Sequence, residues 1–199
     1  TTNMNINGDV VINPNCILTV KNQARINMGP DHSITIKPGG KLIVKEDAEI
    51  TSGGGCLWEG IIVEGDDNLS QFPETNQGVI EVFDGTISNA RTAIATLGCW
   101  IAKSNCKGGG IVRLDEATIK NCITGVELGP YENFVPSSGV IVPNISYIRN
   151  SHFTTNDDFA YYETPESFIK LLNVEGIEIV ANEFINSSSE TNPSKKGNG

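Results

Sequence analysis

Two segments of the chain repeat each other at a fixed offset of 32 residues. Residues 78–94 align with residues 110–126 without a gap, and five aligned positions are identical. The identical pairs are Gly78/Gly110, Thr86/Thr118, Ile87/Ile119, Asn89/Asn121 and Thr92/Thr124. A repeat of this length indicates one supersecondary unit stacked on its copy. The chain is therefore expected to form a solenoid in which most of the repeated pattern serves stacking.

The repeat continues in both directions with a variable period. Near the N-terminus the offset is 24, and Ile12, Leu18, Val20 and Ile26 recur as Ile36, Leu42, Val44 and Ile50. Downstream, residues 147–150 align with residues 118–121 at an offset of 29, which places Arg149 in one row with Ser88 and Lys120. Ile148 and Phe153 then match Ile179 and Phe184 at an offset of 31. Constant anchors with a changing period are typical of short strands joined by corner loops of different length.

The residues within each unit favour strands over helices. Apolar and polar residues alternate, as in residues 80–82 and 87–89, and Val, Ile and Thr are frequent. Gly and Asn stand at the expected corners, where a positive φ is needed. The sequence therefore predicts an all-β chain that forms a parallel β-helix of about seven coils, with neighbouring coils about 4.8 Å apart.

Three segments resemble a known group of proteins. Residues 36–42 (IKPGGKL), 58–65 (WEGIIVEG) and 87–90 (ISNA) are similar to the secreted right-handed parallel β-helix repeat proteins of bacterial surfaces, within the pectate-lyase-like superfamily. The resemblance implies a right-handed, single-stranded β-helix domain over residues 1–187 and a secreted or cell-surface location. Residues 188–199 are predicted to be a disordered tail or linker. The resemblance does not decide the activity, because this scaffold carries lyases, hydrolases and adhesins.

Composition narrows the range of partners. The net charge is −10 and the sequence pI is about 4.6, which argues against nucleic acid as a partner. No apolar run approaches the roughly 20 residues that a membrane-spanning helix requires. No polar cap is recognisable in the sequence after Phe184, so further coils or domains of a longer chain are expected.

The five cysteines have different expected roles. Cys122 aligns with Ala90 and is predicted to be a small buried residue of the coil, whereas Cys16 aligns with Gly40 at a turn. Cys99 and Cys106 share one loop, and in a secreted protein their spacing predicts a disulfide that clamps this loop, with two free thiols as the alternative. No metal site is expected, since the chain has no Cys-x-x-Cys and its two histidines are distant in sequence.

One pair of carboxylates has the spacing of a catalytic pair. The offset of 32 places Asp84 beside Glu116 on adjacent coils. Such a pair could act in glycoside hydrolysis or hold Ca²⁺, the one cofactor considered for this chain. Lys120 and Arg149 are the candidate bases of a lyase. The alternative is that Asp84 and Glu116 are solvated turn residues.

Four longer loops carry the remaining candidates, over residues 64–77, 98–109, 129–145 and 154–167. Three of these loops contain the candidate aromatic residues, which are expected to form a platform for stacking sugars or to fold back onto the coils. The candidate ligand-binding residues are Trp100, Tyr131, Phe134, Tyr161 and Tyr162.

Two hypotheses about function follow from these patterns. The first is a non-catalytic β-helix domain that is structural or binds polysaccharide through the loop aromatics. The second is a polysaccharide lyase or glycoside hydrolase, or a fragment of one, acting on acidic glycans. A net charge of −10 repels polyuronates unless calcium bridges them.

Overall fold

The computed structural model describes residues 2–53, 55–97, 108–159 and 165–188. Within these ranges the chain forms 19 β-strands and one three-residue 3-10 helix, Glu74–Asn76. Successive strands pass in turn to three parallel sheets, named here sheets I, II and III, and every third strand returns to sheet I. Six complete coils form in this way and one strand begins a seventh. The expected all-β parallel β-helix of about seven coils is confirmed.

The strands of each sheet stack in the order of their coils. Sheet I contains β1 (Asn3–Ile6), β4 (Arg25–Met28), β7 (Glu49–Ser52), β10 (Thr86–Ser88), β13 (Thr118–Lys120), β16 (His152–Thr155) and β19 (Glu183–Asn186). Sheet II contains β2 (Val10–Ile12), β5 (Ser33–Ile36), β8 (Trp58–Val63), β11 (Ala90–Ala95), β14 (Thr124–Leu128) and β17 (Ser167–Leu171). Sheet III contains β3 (Ile17–Val20), β6 (Lys41–Lys45), β9 (Val79–Phe83), β12 (Ile111–Asp115), β15 (Tyr147–Arg149) and β18 (Glu178–Val180).

The strand register confirms three of the four sequence offsets. Leu18 pairs with Leu42 at 24 residues, Ile87 with Ile119 at 32, and Phe153 with Phe184 at 31. The offset of 29 is wrong. Residues 147–149 pair with residues 113–115, and residues 118–120 pair with residues 152–154, so the true offset is 34 (147 − 113 and 152 − 118).

A turn requirement explains the wrong offset. Asn121 follows a strand of sheet I with a φ of 54°, and Asn150 follows a strand of sheet III with a φ of 48°. Both corners require the left-handed backbone region, which Asn tolerates better than most residues. The shared Ile-Lys/Arg-Asn pattern therefore identifies a strand followed by a corner, but it does not identify which corner.

The core is a stack of apolar residues that point into the coil. Ile87 and Ile119 are buried in sheet I, and Val82 and Leu114 are buried in sheet III, as the repeat predicts. Trp58 is also fully buried, and its indole N–H donates to the Ser88 carbonyl oxygen at 2.9 Å. Each such side chain contributes about 1.5–3 kcal/mol by its removal from water.

Two of the cysteine predictions are confirmed. Cys122 is buried, and burial raises the pKa of its thiol to about 12. Cys16 is exposed and lies beside Gly40, since the next residue along, Ile17, pairs with Lys41. Cys99 and Cys106 lie outside the described residues, and their disulfide stays a prediction. No helix within the described residues has the length and apolar character needed to cross a membrane.

Candidate functional site

Long connections leave the coils at two of the three corners. Residues 64–78, 96–110 and 129–146 join sheet II to sheet III, whereas residues 53–57 and 156–166 join sheet I to sheet II. The candidate aromatics are therefore divided between two corners. Chain order assigns Trp100 and Tyr131 to the corner between sheets II and III, and Tyr161 and Tyr162 to the corner between sheets I and II. The loops that follow Ile94 and Val126 therefore leave the coils at the same corner, and the connection of residues 156–166 leaves at another.

The structure describes two of the candidate aromatics, Tyr131 and Phe134. Tyr131 is 5% exposed, and its hydroxyl donates to the Leu69 carbonyl oxygen at 2.9 Å. Burial raises the pKa of Tyr131 to about 12. Phe134 is half-buried and forms a bridge with Ile141. Tyr131 thus presents no open ring face to a sugar and instead supports the loops, which was the alternative to a platform. Trp100, Tyr161 and Tyr162 lie outside the described residues.

The carboxylates of Asp84 and Glu116 lie on a solvated corner. The strands that flank them pair in register, so the two residues are neighbours on adjacent coils, as expected. Both are exposed and have left-handed turn conformations, with φ values of 51° and 55°. The amide of Asp47 donates to the Asp84 carbonyl oxygen at 2.7 Å, which adds a third acidic residue to this corner. Among the described residues no group of three or more acidic, His or Cys side chains has the arrangement of a metal site.

Arg149 does not lie in the same row as Lys120. It belongs to β15 of sheet III and pairs with Asp115, because the true offset is 34 residues rather than 29 (149 − 115). Its guanidinium donates to the Glu178 carboxylate at 2.7 Å and lies 4.2 Å from the centre of the Tyr147 ring. These two partners give Arg149 a stacking role on the outer face of sheet III, so the proposed pair of bases is corrected to Lys120 alone.

Lys120 instead lies in a polar cleft on the outer face of sheet I. The cleft has a volume of about 450 Å³, which falls within the usual range for small-ligand sites. Its floor is formed by outward residues of four successive strands and by the turns that follow two of them. The floor residues are Arg25, Glu49, Ser88, Asn89, Lys120 and Asn121. We call this feature the sheet I cleft.

Hydrogen bonds fix most of the cleft floor. Glu49 forms an ion pair with Arg25, and it also lies 2.8 Å from the Ser88 hydroxyl. Ser88 Oγ is 2.7 Å from Thr51 Oγ1, and the Asn89 amide donates to the same Thr51 oxygen at 2.9 Å. The floor is therefore a preorganised polar surface and not a set of independent solvated side chains.

One wall of the sheet I cleft comes from the connections between sheets I and II. Leu57 and Phe159, one from each connection, are buried and form a small apolar cluster with Ile123. The side-chain amides of Asn121 and Asn156 anchor the second connection. Asn121 donates to Asn156 Oδ1 at 2.8 Å, and the Asn156 backbone amide donates to Asn121 Oδ1 at 3.0 Å. Asp158 completes this wall.

Lys120 is the cleft residue best placed to receive a ligand. It is half-buried, and within the described residues it makes no ion pair, whereas the other cation of the cleft, Arg25, is engaged by Glu49. An ammonium group offers three hydrogen-bond donors. Glu49 already has two partners, which suits a structural role better than the transfer of a proton.

The sequence contained part of the signal for this cleft. The offset of 24 that aligns Ile26 with Ile50 also places Arg25 beside Glu49, and the offset of 32 places Ser88 beside Lys120. The step between these two pairs is longer, because Ile50 pairs with Ile87 at an offset of 37 (87 − 50). No repeat predicts that step, so the four side chains could not be joined into one surface from the sequence.

Comparison with protein families, with curated proteins and with solved structures found no match to this chain. Inference about function therefore starts from the geometry of the sheet I cleft.

Proposed function

We propose that the protein is a non-catalytic β-helix domain of a secreted or cell-surface protein that binds a short, hydroxyl-rich saccharide in the sheet I cleft. The observation that carries the proposal is the cleft itself, a volume of about 450 Å³ lined mainly by polar side chains on a rigid sheet. Hydroxyl, amide, carboxylate and ammonium groups alternate along its floor. Such a mixture of donors and acceptors matches the hydroxyl groups of a sugar.

The charges favour a neutral or weakly polar glycan over a polyanion. The chain carries a net charge of −10, which repels acidic polymers at long range. Inside the cleft, Lys120 of the floor supplies a local positive charge, and Asp158 of the wall supplies a negative one. We therefore expect Lys120 to donate to sugar hydroxyl oxygens, with Asn89 and Ser88 forming the adjacent polar surface.

Two of the aromatic residues predicted to bind a sugar belong to a connection that lines the sheet I cleft. Tyr161 and Tyr162 belong to the same connection as Asp158 and Phe159 and follow Phe159 in the sequence by two and three residues. Stacking of a sugar ring on Tyr161 or Tyr162 would complement the polar floor. Trp100 belongs to the other corner by chain order and is expected to contribute less.

The alternative function, cleavage of an acidic glycan, has less support, because the candidate acids lie away from the cleft or are already engaged. Asp84 and Glu116 lie at the corner between sheets III and I and do not line the sheet I cleft. Glu49, the acidic residue of the cleft floor, is held by Arg25 and Ser88.

Glycan binding by variants tests the proposal. A glycan array would identify ligands, and calorimetry would then compare the wild type with Lys120→Met and with the matched control Lys45→Met, which lies on sheet III. We expect Lys120→Met to weaken binding at least about tenfold, a loss of about 1.4 kcal/mol, and the control to bind as the wild type. Unchanged binding by Lys120→Met, or no glycan bound at all, would refute the cleft as the site.

Activity measurements separate binding from catalysis. Incubation with pectin, alginate and neutral glycans, with and without calcium, is expected to release no fragments. Cleavage that disappears in Asp84→Asn or Glu116→Gln would instead support the lyase or hydrolase hypothesis.

A further inference from the structure

Four charged side chains of the described residues line the sheet I cleft: Arg25, Glu49, Lys120 and Asp158. Arg25 and Glu49 form an ion pair with each other, so their charges are already matched. Lys120 and Asp158 form no ion pair, either with each other or with another side chain in the described part of the chain. The cleft therefore contains one ammonium group and one carboxylate that are each available to a ligand.

Hydrogen bonds and packing hold Asp158 in the wall of the cleft. Its backbone amide donates to Asn156 Oδ1 at 3.0 Å, and the side-chain amide of Asn156 donates to Asp158 Oδ2 at 3.3 Å. Asn156 in turn exchanges two hydrogen bonds with Asn121. Phe159, the next residue after Asp158, is 2% exposed and anchors the chain in an apolar cluster. The carboxylate is therefore exposed to solvent but fixed in position.

Lys120 is held next to this wall, on the floor of the cleft. Its strand, β13, pairs with a neighbouring strand along both edges. Asn121, the next residue, is 2% exposed and makes the two hydrogen bonds to Asn156 that anchor the wall. The ammonium group and the carboxylate thus belong to one part of the cleft, without an ion pair between them. A ligand group with two opposite charges can contact both.

We propose that the sheet I cleft selects a zwitterionic saccharide, one that carries an ammonium group and a carboxylate on neighbouring positions of its ring. This inference rests on the proposed function, because it specifies the saccharide that the cleft binds. The carboxylate of the sugar accepts hydrogen bonds from Lys120, and its ammonium group donates to Asp158. Ser88 and Asn89 contact the remaining hydroxyl groups. Such a ligand has no net charge, so the charge of −10 on the chain does not repel it.

The two opposite charges disfavour sugars that carry a charge of one sign only. An acidic sugar can bond to Lys120, but it brings its negative charge near Asp158. An amino sugar without an acidic group can bond to Asp158, but its ammonium group then lies near Lys120. Repulsion between like charges in one site excludes such partners. A ligand with both groups forms two charge-assisted hydrogen bonds, which are roughly twice as strong as those between neutral groups.

Four small probes separate the contributions of the two charges and of the sugar ring. Muramic acid carries an ammonium group and a carboxylate, N-acetylmuramic acid lacks the ammonium charge, and glucosamine lacks the carboxylate. The amino acid alanine has both charges but no sugar ring. In titrations of the full chain followed by NMR, muramic acid should bind about tenfold more tightly than each of the other three, because each of them loses a charged hydrogen bond or the contacts of the ring.

Two variants assign the two charges of muramic acid to their partners. Asp158→Asn should remove the preference for muramic acid over N-acetylmuramic acid, because the ammonium group loses its carboxylate. Lys120→Met should remove the preference for muramic acid over glucosamine. Asp31→Asn, which removes an exposed carboxylate outside the cleft, should keep both preferences. A purely structural role of either cleft residue would change the affinity for all sugars and leave these ratios unchanged. Circular dichroism of each variant establishes that it is folded.

The failure of this inference differs from the failure of the proposed function. Equal binding of the three sugars, weakened for each by Lys120→Met, would show a saccharide site that does not select a zwitterion, so this inference alone would fail. A preference for muramic acid that persists in Asp158→Asn would overturn the role of Asp158. Binding of alanine as tight as that of muramic acid would show that the sugar ring is not recognised, and both proposals would fail. Absence of binding to every sugar would also overturn both.

Discussion

Phe153 and Phe184 occupy one column of sheet I on adjacent strands, and their rings stack on each other. Phe153 is fully buried, whereas Phe184 is 49% exposed. The residue type, the strand register and the inward direction are the same, so the difference comes from position along the axis. A coil in the middle of a solenoid is covered by two neighbours, and a terminal coil by one. The energetic role of a residue is therefore set by its coil number as much as by its place in the repeat.

The largest difference in stability cost between a middle coil and an end coil is expected for the substitution of glycine by alanine. Gly60 of β8 has a φ of 111°, and a Cβ at this position would lie 1.6 Å from the Thr92 carbonyl oxygen of the next coil. Gly60→Ala should therefore abolish cooperative folding or cost more than about 4 kcal/mol. Gly8, next to the first coil, has open space around its Cβ position. Gly8→Ala should leave the urea midpoint nearly unchanged, and a stable Gly60→Ala protein would contradict the register of sheet II in the middle coils.

A smaller difference is expected for one isoleucine pair in a single column. Ile148 is fully buried and pairs with Ile179, which is 39% exposed. Ile148→Ala should reduce the free energy of unfolding by about 2–5 kcal/mol, since it removes buried methyl groups and leaves a cavity. Ile179→Ala removes the same atoms from a half-open site and should cost about 1 kcal/mol.

Urea unfolding of the two variants measures this difference. Equal costs for the two variants would mean that the last coil is covered in solution, which would contradict the exposure of Ile179.

Loss of an ion pair should also destabilise a middle coil more than an end coil. The difference in free energy should be smaller than for the isoleucine pair. Glu81 lies 2.8 Å from Lys41 and 3.0 Å from Arg113, and its side chain is 13% exposed. Three places further along the same column, Glu178 pairs with Arg149 and its side chain is 52% exposed. Glu81→Gln should cost about 1–2 kcal/mol, because the partly buried Lys41 loses its carboxylate partner and Arg113 keeps only Glu74. Glu178→Gln should cost less than about 1 kcal/mol.

Salt dependence separates the two sites further. The effect of Glu178→Gln should disappear in concentrated salt, which screens exposed charges, while that of Glu81→Gln should persist in part. A cost for Glu178→Gln that equals that of Glu81→Gln would contradict the difference in burial.

The fold was predictable because stacking imposes the same inward residues on each coil. Ile87 and Ile119, or Leu18 and Leu42, are recognisable as equivalent without any structure, since one hydrophobic column requires them. The register after residue 121 was less predictable, because Asn fits the left-handed turn at two different corners. Arg149 was placed in the wrong sheet for this reason.

The candidate site was predictable only in pieces. Ser88 and Lys120 follow from the repeat, but the closure of the cleft depends on Leu57 and Phe159, which come from two connections of unrelated sequence. Their contact is long-range packing between irregular segments, so the sequence repeat does not predict it. The buried state of Tyr131 has the same origin, because it depends on the Leu69 carbonyl oxygen of another loop.

The last comparison is between the reactivities of two thiols, which can be measured in the native protein. Cys122 is buried in a middle coil, and burial raises the pKa of its thiol from 9.0 to about 12, while Cys16 is exposed in the first coil. The thiolate is the form that reacts. At pH 9 an alkylating reagent should modify Cys16 rapidly and Cys122 only after denaturation, with mass spectrometry of the peptides assigning each site.

The same shift predicts a dependence of stability on pH. Between about pH 9 and 12 the unfolded chain loses the proton of Cys122 while the folded chain retains it, so the folded state becomes less stable as the pH rises. Cys122→Ala should therefore show a shallower loss of stability over this interval than the wild type, as measured by urea unfolding at successive pH values. Rapid alkylation of Cys122 in the native protein, or identical pH slopes for the two proteins, would contradict its burial between coils. Either result would mean that the middle coils do not shield Cys122 from solvent better than the first coil shields Cys16.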